Sequence, residues 1–114
     1  METETIKKAV LILSENKAAN IRAIDVRKQV GLTDAFIMAS SQSKTHLKFL
    51  FRELIEQLKK TFQREPVSSE GTAEAGWILI DYGDFITHIF SEDKRNYYRL
   101  DALWGDAPVI LEED

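Results

Sequence analysis

The feature that most limits the fold is a pair of β-rich runs on either side of a short polar turn. Residues 77–82 read Trp-Ile-Leu-Ile-Asp-Tyr, residues 85–90 read Phe-Ile-Thr-His-Ile-Phe, and Gly83-Asp84 lies between them. Aromatic and β-branched residues favour strands, and a short turn that contains glycine joins neighbouring antiparallel strands. The sequence therefore predicts a β-hairpin over residues 77–90.

An apolar stripe further upstream predicts the longest helix. Ser43 is a suitable N-cap before the stripe, and Pro66 stops the helix after it. The stripe has the i, i+3, i+4, i+7 spacing of one helical face, and its members are Leu47, Leu50, Phe51, Leu54, Ile55 and Leu58.

Shorter patterns predict the remaining elements. Residues 5–16 have helical spacing, residues 21–27 alternate like a strand, and residues 36–40 form the continuous apolar run of a strand covered on both faces. A short edge strand at residues 67–69 and a short helix capped by Ser91 complete the pattern. We predict an α/β fold with a mixed β-sheet and flanking helices. A single domain spans residues 1–114, with its core at about 4–108 and a short acidic tail at 109–114.

Composition excludes several classes of function. The chain has no cysteine, so disulfides, thiol nucleophiles and cysteine-based zinc sites are excluded. A net charge of −4 argues against non-specific binding to the phosphate backbone of nucleic acids. We also expect no direct sequence-specific nucleic-acid partner. The acidic N-terminus has no signal-peptide pattern and no apolar run could span a bilayer. We therefore expect a cytoplasmic protein that does not bind membranes.

The residues best suited to chemistry are Asp81, Asp84 and His88. Two carboxylates and an imidazole could bind a divalent metal ion or act together in general acid–base catalysis. At about 3.3 Å per residue, however, His88 should lie more than about 10 Å along the strand from Asp84. The simpler interpretation makes Asp84 a turn residue and His88 a hydrogen-bonded, partly buried histidine.

Three serines, Ser40, Ser41 and Ser43, precede the N-terminus of the long helix, where an anion could bind. Nucleotidyltransferases hold phosphate at such a turn, but they need a Gly-Ser pair there and an Asp-x-Asp on a nearby strand. This sequence has neither, and capping by Ser43 accounts for the serines. A metal-dependent nucleotidyltransferase-like enzyme remains the alternative hypothesis; the prediction is no enzyme, no cofactor and no metal.

Aromatic residues and carboxylates are frequent together near the C-terminus. Such a mixture is typical of a face that docks on a basic protein. The sequence leaves open whether Trp77 and Trp104 belong to the core or to that interface. The residues concerned are Trp77, Tyr82, Tyr97, Tyr98, Trp104, Asp81, Asp84, Asp101 and Asp106.

Several segments resemble those of the ribosomal silencing factors, the Iojap-like family. Residues 77–90 are similar to the family signature W-x-L-x-D-(Y/F)-G-D-x-(V/I)-x-H-(V/I)-F. Residues 95–100 and 103–108 resemble its R-x-Y-Y-x-L and L-W-x-D-A segments, and residues 24–26 and 34–40 resemble its L-D-V and D-x-F-(V/I)-(I/L)-A-(S/T) segments. The segments come in the family order over nearly the whole chain. One departure is Ser41, where the family often has glycine.

This resemblance implies a regulator rather than an enzyme. Family members bind the large ribosomal subunit through ribosomal protein uL14 at the intersubunit face, block association with the small subunit and repress translation under nutrient limitation. Their fold is similar to that of nucleotidyltransferases without the catalytic residues, and homodimers occur among them. The resemblance places the contact face near the hairpin, and the partner-binding residues that we expect there are Trp77, Asp81, Tyr82, Asp84, His88, Trp104 and Asp106.

Overall fold

The computed structural model describes residues 1–113, apart from the side chains of Tyr97 and Tyr98. This part of the chain forms four helices and six strands. In order they are α1 (Glu4–Glu15), β1 (Ala19–Asp25), β2 (Ala35–Ser41), α2 (Lys44–Phe62), β3 (Ser68–Thr72), β4 (Trp77–Asp81), β5 (Phe85–Ser91), α3 (Glu92–Tyr98), α4 (Leu100–Leu103) and β6 (Val109–Glu113).

The strands form one mixed sheet in the order β3-β4-β5-β2-β1-β6. Strands β2 and β5 are parallel, with Met38 opposite His88, and the other neighbouring pairs are antiparallel. Every residue of β2 is buried, as predicted for a strand covered on both faces. The predicted hairpin is confirmed as β4 and β5, which are joined through residues 82–84.

Helices α1 and α2 cover one face of the sheet. On α2 the inward positions Leu47, Leu50, Leu54 and Leu58 are all buried, whereas Phe51 and Ile55 are half-buried. The hydroxyl of Ser43 accepts a hydrogen bond from the backbone N–H of His46 at 3.0 Å, which confirms the predicted N-cap. This helical layer and the strand residues that point towards it form the larger apolar core.

The opposite face of the sheet is covered over only part of its width. A smaller apolar cluster lies there, over β1, β2 and the end of β5, beneath α3, α4 and the segment that follows them. Its buried members are Ile24, Val26, Phe36, Met38, Phe90, Leu100 and Ala107. Within the described part of the chain, no helix covers the outer strands β3 and β4 on this side, and their side chains there are more exposed. The candidate site lies on this uncovered part of the sheet.

The last residues form a strand, although the sequence suggested only an acidic tail. Strand β6 pairs with β1, with Glu112 opposite Arg22, and Ile110 and Leu111 pack against the larger core. Its apolar run is short and is followed by glutamates, so it lacks the length and alternation that identify a strand in sequence. Asp114 lies outside the described residues. Within residues 1–113 no helix has the length and apolar character to cross a membrane.

Candidate partner-binding site

The half of the sheet that no helix covers carries a set of side chains that we call the open face. Side chains alternate along a strand, so Ile78 and Ile80 point into the larger core and their neighbours point the other way. Directly opposed residues share a face, and the register pairs Glu70 with Leu79, Leu79 with His88 and Asp81 with Ile86. The open face consists of Glu70, Trp77, Leu79, Asp81, Ile86 and His88.

The open face is apolar at its centre and acidic at its edges. Trp77, Leu79 and Ile86 are half-buried, and Glu70 is exposed. A hollow of about 470 Å³ lies beside β3 and β4, lined by Glu70, Gly71, Ala75, Trp77, Leu79 and Lys94. Leu79, Ile86 and Glu70 were not among the site residues predicted from the sequence. Leu79 could have been predicted, because it lies two residues after Trp77 and side chains of a strand alternate between its faces. The position of Glu70 on this face depends on the register between β3 and β4, which the sequence does not reveal.

Trp77 is held in place by neighbouring rings. Its indole N–H donates a hydrogen bond to Nδ1 of His88 at 3.4 Å, and its ring packs on Phe90 with centroids 4.9 Å apart. The His88 ring in turn meets Phe36 edge-on at 4.9 Å. Trp77 is therefore partly core and partly surface, and its ring is held in one position.

His88 adds no positive charge to the open face at neutral pH. Burial lowers the pKa of His88 to about 4, so the ring is neutral. Because Nδ1 accepts from Trp77, the ring proton resides on Nε2, which is buried and has no hydrogen-bond partner within the described residues. The charged residues of the open face are therefore Glu70 and Asp81, which make this face negative.

His88 should make folding stability depend on pH between about 4 and 6.5. The unfolded chain takes up a proton near pH 6.5, whereas folded His88 does so only near pH 4. We therefore expect the free energy of unfolding to fall by about 2 kcal/mol from pH 7 to pH 5. Urea unfolding at several pH values measures this loss, and His88→Gln should remove most of it. An equal loss in both proteins would contradict the assignment.

Trp104 extends the aromatic surface beyond the hairpin. It caps the C-terminus of α4, is half-buried, and packs edge-on against Phe36 with centroids 4.9 Å apart. Phe36 thus contacts both His88 and Trp104 and connects the open face to α4. Asp106 follows in an exposed turn. The structure thus brings Trp77, His88 and Trp104 into one connected aromatic surface.

Tyr82 lies on the other side of the sheet, so the expectation that it supplies partner contact is corrected. Only 4% of it is exposed, and its ring stacks on Phe85 with centroids 5.0 Å apart. Burial raises the pKa of Tyr82 to about 12. Tyr82 continues the inward alternation of Ile78 and Ile80 past the end of β4, and this explains why its ring enters the larger core.

Asp84 is already paired within the chain. Arg64, just beyond the end of α2, donates to Oδ1 of Asp84 at 2.6 Å and to the carbonyl of Tyr82 at 3.0 Å. The carboxylate of Asp84 raises the pKa of Arg64. Asp84 therefore fastens α2 to the hairpin turn instead of presenting a free charge to a partner. The sequence could not reveal this pair, because 20 residues separate its members.

The residues proposed for metal or acid–base chemistry do not form one site. Oδ1 of Asp81 accepts a hydrogen bond from the N–H of Gly83 at 2.7 Å, Asp84 binds Arg64, and His88 binds Trp77. Within residues 1–113 no group of three or more His, Asp or Glu side chains is arranged to hold a metal ion.

Two of the three serines before α2 have partners within the fold, whereas the buried hydroxyl of Ser41 has none among the described residues. Ser40 accepts a hydrogen bond from Arg95, and Ser43 caps α2. The side chains of Tyr97 and Tyr98, part of the predicted aromatic cluster, are outside the described residues.

Comparison with known proteins agrees with the fold and with the segments around the hairpin. A family model described as "Ribosomal silencing factor during starvation" matches residues 1–114. A ribosomal silencing factor from Halalkalibacterium halodurans is 33% identical over 110 residues, which cover 94% of this chain and 91% of that protein. A mouse protein named "Mitochondrial assembly of ribosomal large subunit protein 1" is 29% identical over 83% of this chain and 42% of its own length.

A crystal structure of a protein from Chromobacterium violaceum superposes with a TM-score of 0.84 at 33% identity, covering 92% of this chain and 88% of that one. Fold and sequence thus agree over most of the length of both bacterial proteins. The chain belongs to the ribosomal silencing factor family, whose members include the Iojap proteins.

Proposed function

We propose that this protein binds the large ribosomal subunit through ribosomal protein uL14, blocks association with the small subunit and represses translation under nutrient limitation. The observation that carries the proposal is the open face, an uncovered half of a sheet in which neighbouring rings hold the tryptophan that begins β4. The name of the bacterial relative supports a role at the ribosome, and the name of the mouse relative supports a role at its large subunit.

The chemistry of the open face favours a basic protein as the partner. Trp77, Leu79 and Ile86 would supply apolar contact, and Glu70 and Asp81 would meet lysine or arginine side chains. Asp106, beside Trp104, would add a further exposed carboxylate. The same carboxylates would repel the phosphates of RNA, so a protein component of the subunit fits the surface better than its RNA.

The mechanism that we propose is steric and involves no catalysis. A protein bound at the intersubunit surface would occupy the space that the small subunit needs. It would act in the cytoplasm, where ribosomes engage in translation. A homodimer formed through the open face would compete with the ribosome, since one surface cannot bind two partners at once.

Co-sedimentation and subunit joining test this proposal directly. The purified protein should pellet with isolated large subunits but not with small subunits, and joined ribosomes should decrease as its concentration rises. Isolated uL14 should compete for the protein. Absence of binding to intact large subunits would refute the proposal, and binding without an effect on joining would refute its steric part.

The acidic edge of the open face can be tested by charge reversal at Glu70. This side chain is exposed, so Glu70→Lys should leave the fold intact while placing a cation opposite a basic partner. We expect about tenfold weaker binding to uL14, and less weakening at high salt, because exposed charges are screened. Glu56→Lys makes the same charge change on the exposed side of α2 and serves as the control. Equal effects of the two variants would contradict a localised acidic contact.

A further inference from the structure

A buried cation outside the open face links three elements of the fold. Arg95, on α3, is only 3% exposed. Its Nη1 donates to the carbonyl of Asn20 at 2.6 Å and to the hydroxyl of Ser40 at 2.9 Å, on strands β1 and β2. Its Nε and Nη2 donate to the two carboxylate oxygens of Asp101, on α4, at 2.9 and 2.8 Å. One guanidinium therefore joins α4 to the sheet.

The pair of Arg95 and Asp101 is specific in its geometry. Two parallel N–H···O bonds fix both the distance and the relative orientation of the two groups, which a single point charge cannot do. Arg22, on β1, adds a third contact to Oδ1 of Asp101 at 3.4 Å. The Arg95 guanidinium lowers the pKa of Asp101, so this carboxylate remains charged at neutral pH. A buried arginine that lost its carboxylate would be costly, so the pair is maintained.

Helix α4 depends on such contacts for its position. It has four residues, Leu100–Leu103, which is too short for a helix to be stable without tertiary contacts. Leu100 packs into the smaller cluster and Asp101 binds Arg95, whereas Leu103 is exposed. Trp104 follows directly as the C-cap. The contact between Arg95 and Asp101 and the packing of Leu100 therefore hold the helix that Trp104 ends.

We propose that Arg95, acting through Asp101, is a positioning residue for Trp104, and that it thereby fixes the α4 end of the partner-binding surface. The expected effect on binding rests on the proposed function, whereas the effect on the position of Trp104 does not. Neither Arg95 nor Asp101 needs to touch the partner for this role. The pair holds an aromatic side chain where a partner can contact it, so that binding does not have to restrict its conformational entropy further.

Asp101→Asn separates this role from general packing, because asparagine keeps the size and loses the charge. In a Trp77→Phe background, tryptophan emission comes from Trp104 alone, and we expect acrylamide to quench it more strongly in the variant. With Trp77 present, Asp101→Asn should weaken binding to isolated uL14 by about tenfold. Asp101→Glu, which retains a carboxylate, should recover part of both effects.

Glu65→Gln is the matched control. It removes one negative charge and breaks an exposed pair with Lys59, 3.4 Å apart, beyond the end of α2. Neither quenching nor affinity should change. If Asp101→Asn lowers the melting temperature too far for these measurements, Arg95→Lys offers a second test, since it keeps the charge but loses the two-pronged contact.

The two readouts distinguish failure of this inference from failure of the proposed function. Unchanged quenching of Trp104 in folded Asp101→Asn would overturn the positioning role. Increased quenching with unchanged affinity would overturn the link to the binding surface. If the wild-type protein did not bind uL14 at all, the proposed function would fail, and quenching alone would decide whether Arg95 positions Trp104.

Discussion

Trp77→Ala is expected to weaken binding to uL14 by about 3 kcal/mol, which is a factor of more than a hundred. The indole is the largest apolar group on the open face, and it is held by His88 and Phe90 before any partner arrives. A large, rigid aromatic side chain in an interface loses little entropy on binding, so its removal has a large effect. Isothermal titration calorimetry with purified uL14 measures the change.

Phe49→Ala provides the control for this loss of an aromatic surface. Phe49 is 37% exposed on α2, in the layer on the other side of the sheet. Its removal should leave the affinity within about twofold of wild type, because surface changes away from a contact have small effects. Circular dichroism at the titration temperature verifies that Trp77→Ala is folded. A larger loss for Phe49→Ala than for Trp77→Ala would place the interface on the helical layer.

Gly71→Ala should destabilise the edge of the sheet by at least about 3 kcal/mol. The backbone of Gly71 has a φ of +87°, and residues other than glycine adopt this conformation only at a cost in free energy. A Cβ there would also lie 2.1 Å from the carbonyl oxygen of Trp77 on the neighbouring strand. The backbone of β3 would have to separate from β4, and hydrogen exchange should show faster exchange of the amides in these two strands. The melting temperature should fall as well.

Gly31→Ala is the matched control for this substitution. A Cβ at Gly31 would meet nothing within 4 Å, so alanine can be accommodated without a clash. Replacing glycine by alanine also restricts the unfolded chain, so its effect should be neutral or slightly stabilising. Gly71→Ala should additionally weaken uL14 binding, because β3 carries Glu70 and borders Trp77. Wild-type stability in Gly71→Ala would show that β3 can relax around a side chain.

The sequence predicted the elements whose residues interact locally. The hairpin followed from β-rich runs around Gly83, and α2 followed from an apolar stripe with a serine cap, since turns and helical faces are encoded over a few residues. The mixed α/β architecture followed from their order. Strand β6 and helix α4 are too short for periodicity to identify. Strand β6 is held by β1, which is distant in sequence, and α4 is held through Arg95, whose other partners Asn20 and Ser40 are distant as well.

The sequence grouped Trp77, His88 and Trp104 in one candidate site, and the three rings lie on one connected aromatic surface. The sequence could not show that Tyr82 faces the core. Alternation separates the two faces of a strand, but only the folded structure shows which face the helices cover. Nor could the sequence show that Arg64 neutralises Asp84, since that pair forms only when α2 packs beside the hairpin turn.

The pairing of β6 with β1 has a consequence for synthesis of the chain. Strand β1 is made early, yet one of its edges stays unpaired until residues 109–113 have been made. A nascent chain thus carries an open strand edge, which is the kind of feature that promotes aggregation, until β6 has been made. Completion of the sheet is therefore a late event, and a chain that stops before Val109 should expose β1 and associate with other copies.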